Sequence, residues 1–139
     1  MICRLLNKDD YDQFFNLIND FRETNFSLHN FEELLDNQKQ VEIYILEKDN
    51  KLVGSGTILF EKKFIHNISL YAHIEDIIIK NEHQGKGYGK ILINNLIKIC
   101  KVRKCYKILL DCETNLIPFY EKCGFSDKGH QMVIYLDNH

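Results

Sequence analysis

No stretch of this 139-residue sequence is apolar for long enough to span a membrane. Met1 to Asp20 is too polar for a secretory signal. Charge of one sign is not in excess: Lys and Arg total 18 against 20 for Asp and Glu, a net charge of −2. That balance lacks the basic footprint that a nucleic acid or an anionic membrane surface requires. Arginine is scarce while lysine, isoleucine and asparagine abound, a bias that reflects an AT-rich coding sequence and carries no function. No Cys-x-x-Cys pair occurs. Cys3, Cys100, Cys105, Cys112 and Cys123 are odd in number and read as reduced thiols of an intracellular, cytoplasmic protein, without a disulfide frame or a metal site. Internal repeats, low-complexity tracts and linkers are also missing, so residues 1–139 are expected to form one domain.

What is present is ordinary globular material, 45% hydrophobic and 27% charged. Ile2 to Leu6 reads as a first strand. Asp9 or Asp10 can cap a helix carrying Phe14, Phe15, Leu17, Ile18 and Phe21, and Asn30 a second, short one through Leu35. Val41 to Glu47 and Leu52 to Phe60 are strands joined by Asp49-Asn50-Lys51. A loop over Lys63 to Ser69 leads to a long strand, Leu70 to Lys80. Tyr106 to Cys112 reads as a strand, Asn115 to Cys123 as a short helix and Gln131 to Leu136 as a last strand. The order β-α-α-β-β-β-α-β-α-β predicts an α/β fold, a mixed sheet with helices on its faces.

The segment from His73 to Lys90, HIEDIIIKNEHQGKGYGK, is the most informative. Ile74 to Ile79 is rich in β-branched residues, as a buried strand should be. It runs into Gln84-Gly85-Lys86-Gly87-Tyr88-Gly89, after which Ile91, Leu92, Asn95, Leu96 and Ile99 recur at helical spacing. A glycine-rich turn that opens a helix brings backbone close to a ligand, and the first amides of the helix are unpaired donors with partial positive charge. The segment is thus a cradle for a diphosphate. It is not a P-loop, because no Gly-Lys-Ser/Thr closes it, and it lacks the context of a dinucleotide fingerprint.

Gln84, Gly87 and Gly89 together resemble the acetyl-CoA loop of the GNAT family of N-acetyltransferases. HIEDIII, that loop, CYKILLDC…FYEKCGF (Cys105 to Phe125) and EKKFIH (Glu61 to His66) collectively resemble one branch, the glucosamine-6-phosphate N-acetyltransferases. The likeness spans most of the chain after about Phe60 and is weaker, though collinear, before it. It implies the acyl-CoA N-acyltransferase fold, a central mostly antiparallel sheet with splayed parallel strands, flanked by helices. It also implies acetyl-CoA as co-substrate without a metal, an amino-sugar phosphate as acceptor and a homodimer. In that homodimer the last strand and the loop around Lys63 would lie near the partner.

Residue by residue, the resemblance assigns acetyl-CoA to Ile77, Ile78 and Ile79, to Gly85, Lys86, Gly87, Tyr88, Gly89 and Lys90, and to Tyr120. It assigns the sugar phosphate to Lys63, Phe64, Ile65, His66, Glu75, Asp76, Leu110 and Asp111. Tyr120 is the candidate acid for the departing thiolate, Asp111 the residue that orients the amine, and Glu75 a further catalytic candidate. A 2-amino sugar is only weakly basic, so a strong general base is not required. Glu75 and Asp76 are adjacent on a strand, which predicts that they face opposite sides. Three positions depart from the branch. Tyr135 stands where an arginine is usual, Arg22 where a threonine is usual, and Leu116 where an asparagine is usual, with Asn115 beside it. Arg22 is accordingly the candidate for the missing phosphate contact. Two other readings stay open: acetylation of a different small amine or a protein amine, and a non-catalytic acetyl-CoA-binding module.

Overall fold

The computed structural model describes residues 1–137. Five strands form one sheet in chain order: β1 (Ile2–Leu5), β2 (Val41–Lys48), β3 (Lys51–Lys62), β4 (Leu70–Ile79) and β5 (Lys107–Leu109). The first four run antiparallel and β5 runs parallel to β4. The helices are α1 (Tyr11–Phe21), α2 (Leu28–Asn37), the single turn α3 (Ile65–Ile68), α4 (Tyr88–Val102) and α5 (Ile117–Lys122). The alternation of β2 divides two cores. Tyr44 and Leu46 pack with α4 and α5 on one face, and Ile43 and Ile45 pack with α1 and α2 on the other. No helix among the described residues is long and apolar enough to cross a membrane.

Local chemistry explains the element ends. Asp49 and Asn50 take positive φ of 51° and 63°, the left-handed conformations that a two-residue hairpin turn needs, so Lys51 pairs with Lys48 and is not part of the turn. Ser27, not Asn30, caps α2; Asn30 sits three residues in and completes a capping box with it. Likewise Asn7 caps a 3-10 turn over Lys8–Asp10. Asp10 answers the Asn7 amide at 2.8 Å and takes Arg4 at 2.9 Å from each guanidinium nitrogen, and its side chain does not cap α1. A Cβ on Gly56 would stand 2.7 Å from Ile77 Cδ1 and 2.9 Å from Leu96 Cδ1, so this glycine lets α4 lie close against the sheet.

Three further sequence expectations, on the later elements, need correction. The strand from Tyr106 to Cys112 pairs only over Lys107–Leu109. The helix from Asn115 to Cys123 divides into a 3-10 turn, Thr114–Leu116, and α5, with Pro118 in the first turn of α5, where its missing N–H costs nothing. Gln131 to Leu136 is no strand at all: among the described residues none pairs with it, and Met132 and Leu136 are 93% and 94% exposed. An extended apolar segment becomes a strand only when it pairs with a partner edge, and among the described residues it pairs with none.

Candidate active site

β4 and β5 share a ladder only from Tyr71↔Lys107 to His73↔Leu109. Beyond that point β4 is unpaired on this side, so the strands part and leave a wedge bordered by Ile74–Ile79 and by the residues after Leu109. A bulge lies along the same stretch. Ser55 pairs with Ile78 but Thr57 pairs with Glu75, and Asp76 takes φ +50°. The extra residue shifts the apolar face. Ala72 and Ile74 belong to the α4 core before the bulge, and Ile77 and Ile79 pack against it after. Simple alternation therefore fails at Glu75 and Asp76, and the expectation that they split across the sheet is withdrawn.

The glycine loop sits at the end of β4. Gln84 Nε2 donates to the Ile79 carbonyl and to Asn81 Oδ1, both at 3.2 Å, which ties the loop to the strand. Gly85 and Gly87 adopt φ of +80° and +83°, and a Cβ at either would meet no atom within 4 Å. Ile91 makes the helical bond back to Gly87, at 3.3 Å, so the amides of Tyr88, Gly89 and Lys90 have no intrahelical acceptor. Open backbone, unpaired donors and the helix dipole fit a diphosphate. Gly89 differs: its Cβ would lie 3.4 Å from Phe119 Cζ, so its smallness seats α5 against α4. Tyr88 contributes backbone only, since its ring is buried and its hydroxyl accepts from Lys48 Nζ at 2.8 Å.

Three carboxylates stand along the wedge, Glu75 and Asp76 on β4 and Asp111 after β5. Burial raises the pKa of Glu75, and the charges of Asp76 and Asp111 raise it further, with His73 opposing them. Neither Glu75 nor Asp76 has a side-chain hydrogen-bond or ion-pair partner among the described residues. Asp111 accepts from Gln131 Nε2 at 3.1 Å, and Leu110 beside it is half-buried at the core's margin. Tyr120 lies on α5 at 8% exposure, edge-on to Phe119 and Phe125. Burial, then Cys112 and Cys123, push its pKa upward, so the phenol keeps its proton at neutral pH. Its hydroxyl has no hydrogen-bond partner among the described residues.

The loop from Lys63 to His66 is elsewhere. Lys63 N–H closes it onto Ser69 at 2.9 Å, and the His66 ring stacks on Tyr106 at 4.1 Å between centroids. His66, Asn67 and Ile68 all have φ between 53° and 60°, a left-handed run costly for a β-branched residue. Phe64 is 91% exposed and Ile65 also faces outward. The loop joins β4 at Leu70, whereas Glu75 lies five residues on, roughly 17 Å along the strand. Within one chain this loop and the carboxylates are therefore not one site. Arg22 ends α1 with its guanidinium over the Phe21 ring at 5.8 Å and pairs with no acid among the described residues.

Two residues at the cradle escaped the sequence reading. Lys48 reaches the first turn of α4 from 40 residues away, and His83 carries a buried Nδ1 without a hydrogen-bond partner among the described residues. A lysine at a strand end and a histidine before a glycine loop carry no sequence signal of either placement.

The sequence profile of the "Acetyltransferase (GNAT) family" matches residues 11–125. A glucosamine 6-phosphate N-acetyltransferase from Dictyostelium discoideum is 39% identical over 140 aligned positions, which cover 96% of this chain and 89% of the relative. One from Arabidopsis thaliana is 38% identical over 109 positions, 77% of this chain and 73% of the relative. The crystal structure of glucosamine-6-phosphate N-acetyltransferase from Arabidopsis thaliana superposes with a TM-score of 0.91 and 31% identity over 98% of each chain.

Proposed function

The chain belongs to the acetyltransferase (GNAT) family, and from that premise we propose its reaction. It transfers an acetyl group from acetyl-CoA to the 2-amino group of glucosamine 6-phosphate, giving N-acetylglucosamine 6-phosphate for UDP-N-acetylglucosamine synthesis. The likeness to glucosamine 6-phosphate N-acetyltransferases over nearly the whole chain supports this acceptor. The observation that carries the chemistry is the wedge between β4 and β5, which has a diphosphate cradle at one end, a protonated phenol on α5 and unpaired carboxylates on its border.

Ile77 to Ile79 and the amides from Gly85 to Lys90 hold the co-substrate. When bound, it supplies a thioester, an acyl carbon open to attack with a thiolate as leaving group. Asp111 and Asp76 orient the acceptor amine. Glu75, whose pKa is raised by burial and by the neighbouring carboxylates, takes the proton that the amine loses as its nitrogen bonds to carbon. Tyr120 Oη gives its proton to sulfur as the carbon–sulfur bond breaks. No metal is needed to balance these transfers.

The loop Lys63-Phe64-Ile65-His66 reads as the contribution of a second copy. It lies too far from the carboxylates of its own chain, and the apolar tail from Met132 to Leu136 is exposed. A homodimer brings the lysine and histidine of one copy to the sugar phosphate held by the other. Arg22 completes the phosphate contact where Tyr135 replaces the usual arginine. The deciding assay is thiol release from acetyl-CoA with glucosamine 6-phosphate, glucosamine and unrelated amines in parallel. Acetylation of another amine in preference would overturn the acceptor, and no release with any amine would overturn the enzyme. In Arg22→Ala the preference for the phosphorylated sugar should shrink about 10-fold or more; an unaltered preference removes Arg22 from the site.

A further inference from the structure

Helix α4 ends in a Schellman closure. The Lys104 amide donates to the Lys101 carbonyl at 3.0 Å, the Cys105 amide to the Cys100 carbonyl at 3.1 Å, and Lys104 takes φ +58°. Such a closure sets the residue past the turn against the last turn of the helix, usually as a contact between two apolar side chains. Here both are cysteines. Cys100 is 1% exposed in the α4 core, Cys105 packs half-buried against it, and the two thiols share a hydrogen bond. Both flanks are pinned. Arg103 donates to the two Glu42 carboxylate oxygens at 2.8 and 2.7 Å, and the Tyr106 amide donates to the Leu70 carbonyl at 2.8 Å. The bond from the Cys105 amide to the Cys100 carbonyl keeps the two Cα atoms within the roughly 4.4 to 6.8 Å that a disulfide spans. No other pair of the five cysteines is bonded thiol to thiol among the described residues.

Packing alone asks only for small apolar groups at these two positions, so two thiols in contact add a chemistry that packing does not use. They also differ in character. Burial, the charge of Cys105 and the bond to it push the Cys100 pKa up to about 12, so Cys100 keeps its proton. Burial raises Cys105 as well, but the Cys100 thiol and the Arg103 charge favour its thiolate. Cys105, the more exposed of the two, is therefore the nucleophile, and Cys100 the resolving thiol. We propose that Cys100 and Cys105 form a modification site for hydrogen peroxide, which closes them into an intrachain disulfide where α4 turns toward β5. Cys105 sulfur attacks one peroxide oxygen, the O–O bond breaks, and the departing hydroxide takes the proton that the Cys105 thiol gave up. Cys100 sulfur then attacks the sulfenic acid on Cys105. The S–S bond forms, the S–O bond breaks, and the hydroxyl leaves as water with the Cys100 proton. Two thiols are oxidised and one peroxide is reduced to water. The site does not depend on the acetyl-transfer reading.

The test exposes the full chain to hydrogen peroxide, alkylates the remaining thiols and digests the product with trypsin. Cleavage after Lys98, Lys101, Lys104 and Lys107 puts the two cysteines in separate peptides, Ile99–Lys101 and Cys105–Lys107. The oxidised chain, still a single chain on a non-reducing gel, should yield these peptides joined, and dithiothreitol should part them. In Cys100→Ala, Cys105 should stop at the sulfenic acid and be trapped by dimedone. In Cys105→Ser, the buried Cys100 thiol should be lost at least about 10-fold more slowly than in the wild type. Absence of the joined peptides overturns the proposal, as does a disulfide from Cys105 to another cysteine. So does loss of the Cys100 thiol at the wild-type rate in Cys105→Ser.

Discussion

Gln131 Nε2 donates to Asp111 Oδ2 at 3.1 Å, so the final segment of the chain starts at the acidic border of the wedge and leaves it without support. Next to that bond come Met132, Val133, Ile134, Tyr135 and Leu136, all exposed. Solvent is an unfavourable home for so much contiguous apolar surface.

The first prediction concerns that tail. The wild type should sediment as a dimer, and Ile134→Lys with Leu136→Lys should dissociate it. Burying one such side chain is worth about 1.5 to 3 kcal/mol, so the double change should raise the dissociation constant about 100-fold or more. Activity should fall together with assembly. A fully active wild-type monomer at assay concentration would rule out the shared site.

Tyr120 supplies the second prediction. Tyr120→Phe removes only the hydroxyl from a packed ring, so the fold should survive. Turnover should drop on the order of 10 to 1,000-fold with small changes in the Michaelis constants, as loss of a group acting in the transition state requires. The pH profile should also lose any basic limb due to the phenol. Because burial raises the phenol's pKa, that limb in the wild type belongs above the ordinary tyrosine range. Wild-type turnover in the variant would reduce Tyr120 to a packing residue.

The two loop glycines should part company under substitution. Gly87→Val forces a β-branched side chain to φ +83°, at the rim of the proposed diphosphate cradle. It should weaken acetyl-CoA binding by about 10-fold or more in a protein that still folds. Gly89→Val instead drives bulk into Phe119 and should lower the melting temperature first. If Gly87→Val binds acetyl-CoA normally, the diphosphate lies elsewhere.

Acid sensitivity should centre on Asp10. Burial pushes its pKa up, but the Arg4 and Asn7 hydrogen bonds and the Arg4 charge together bring it below the usual carboxylate range. A depressed folded-state pKa stabilises the fold above the unfolded value, near 3.9, and that stability is lost as pH falls through the folded value. Asp10→Asn should thus cost on the order of 2 kcal/mol at neutral pH. The gap from wild type, measured by urea unfolding, should shrink from about pH 5 downward. A gap independent of pH would mean that the Arg4 contact contributes no net charge interaction.

The sequence carried the parts of the site that are local. Ile74 to Ile79 announce a strand, and Gln84 to Gly89 announce a turn into a helix, because both depend on side-chain branching and on glycine within a few residues. The bulge at Asp76 was not legible, since nothing in Ile-Glu-Asp-Ile-Ile-Ile marks which residue is extra; the pairing with β3 decides it. The Lys48–Tyr88 bond depends on how distant segments dock, and composition does not encode that. The tail misled for the opposite reason. Met132 to Leu136 has strand chemistry, but strand formation also needs an edge to join.

The order of strands across the sheet is the order in which they are synthesised, and only β5 must return across α4 to reach its neighbour. A chain emerging from the ribosome can therefore complete the meander from β1 to β4 before any residue of β5 exists. Through that interval the outer edge of β4 is a bare row of isoleucine backbone, the kind of edge that recruits stray strands. The wedge is for the nascent chain an interval of exposure, which β5 ends only for Tyr71 to His73.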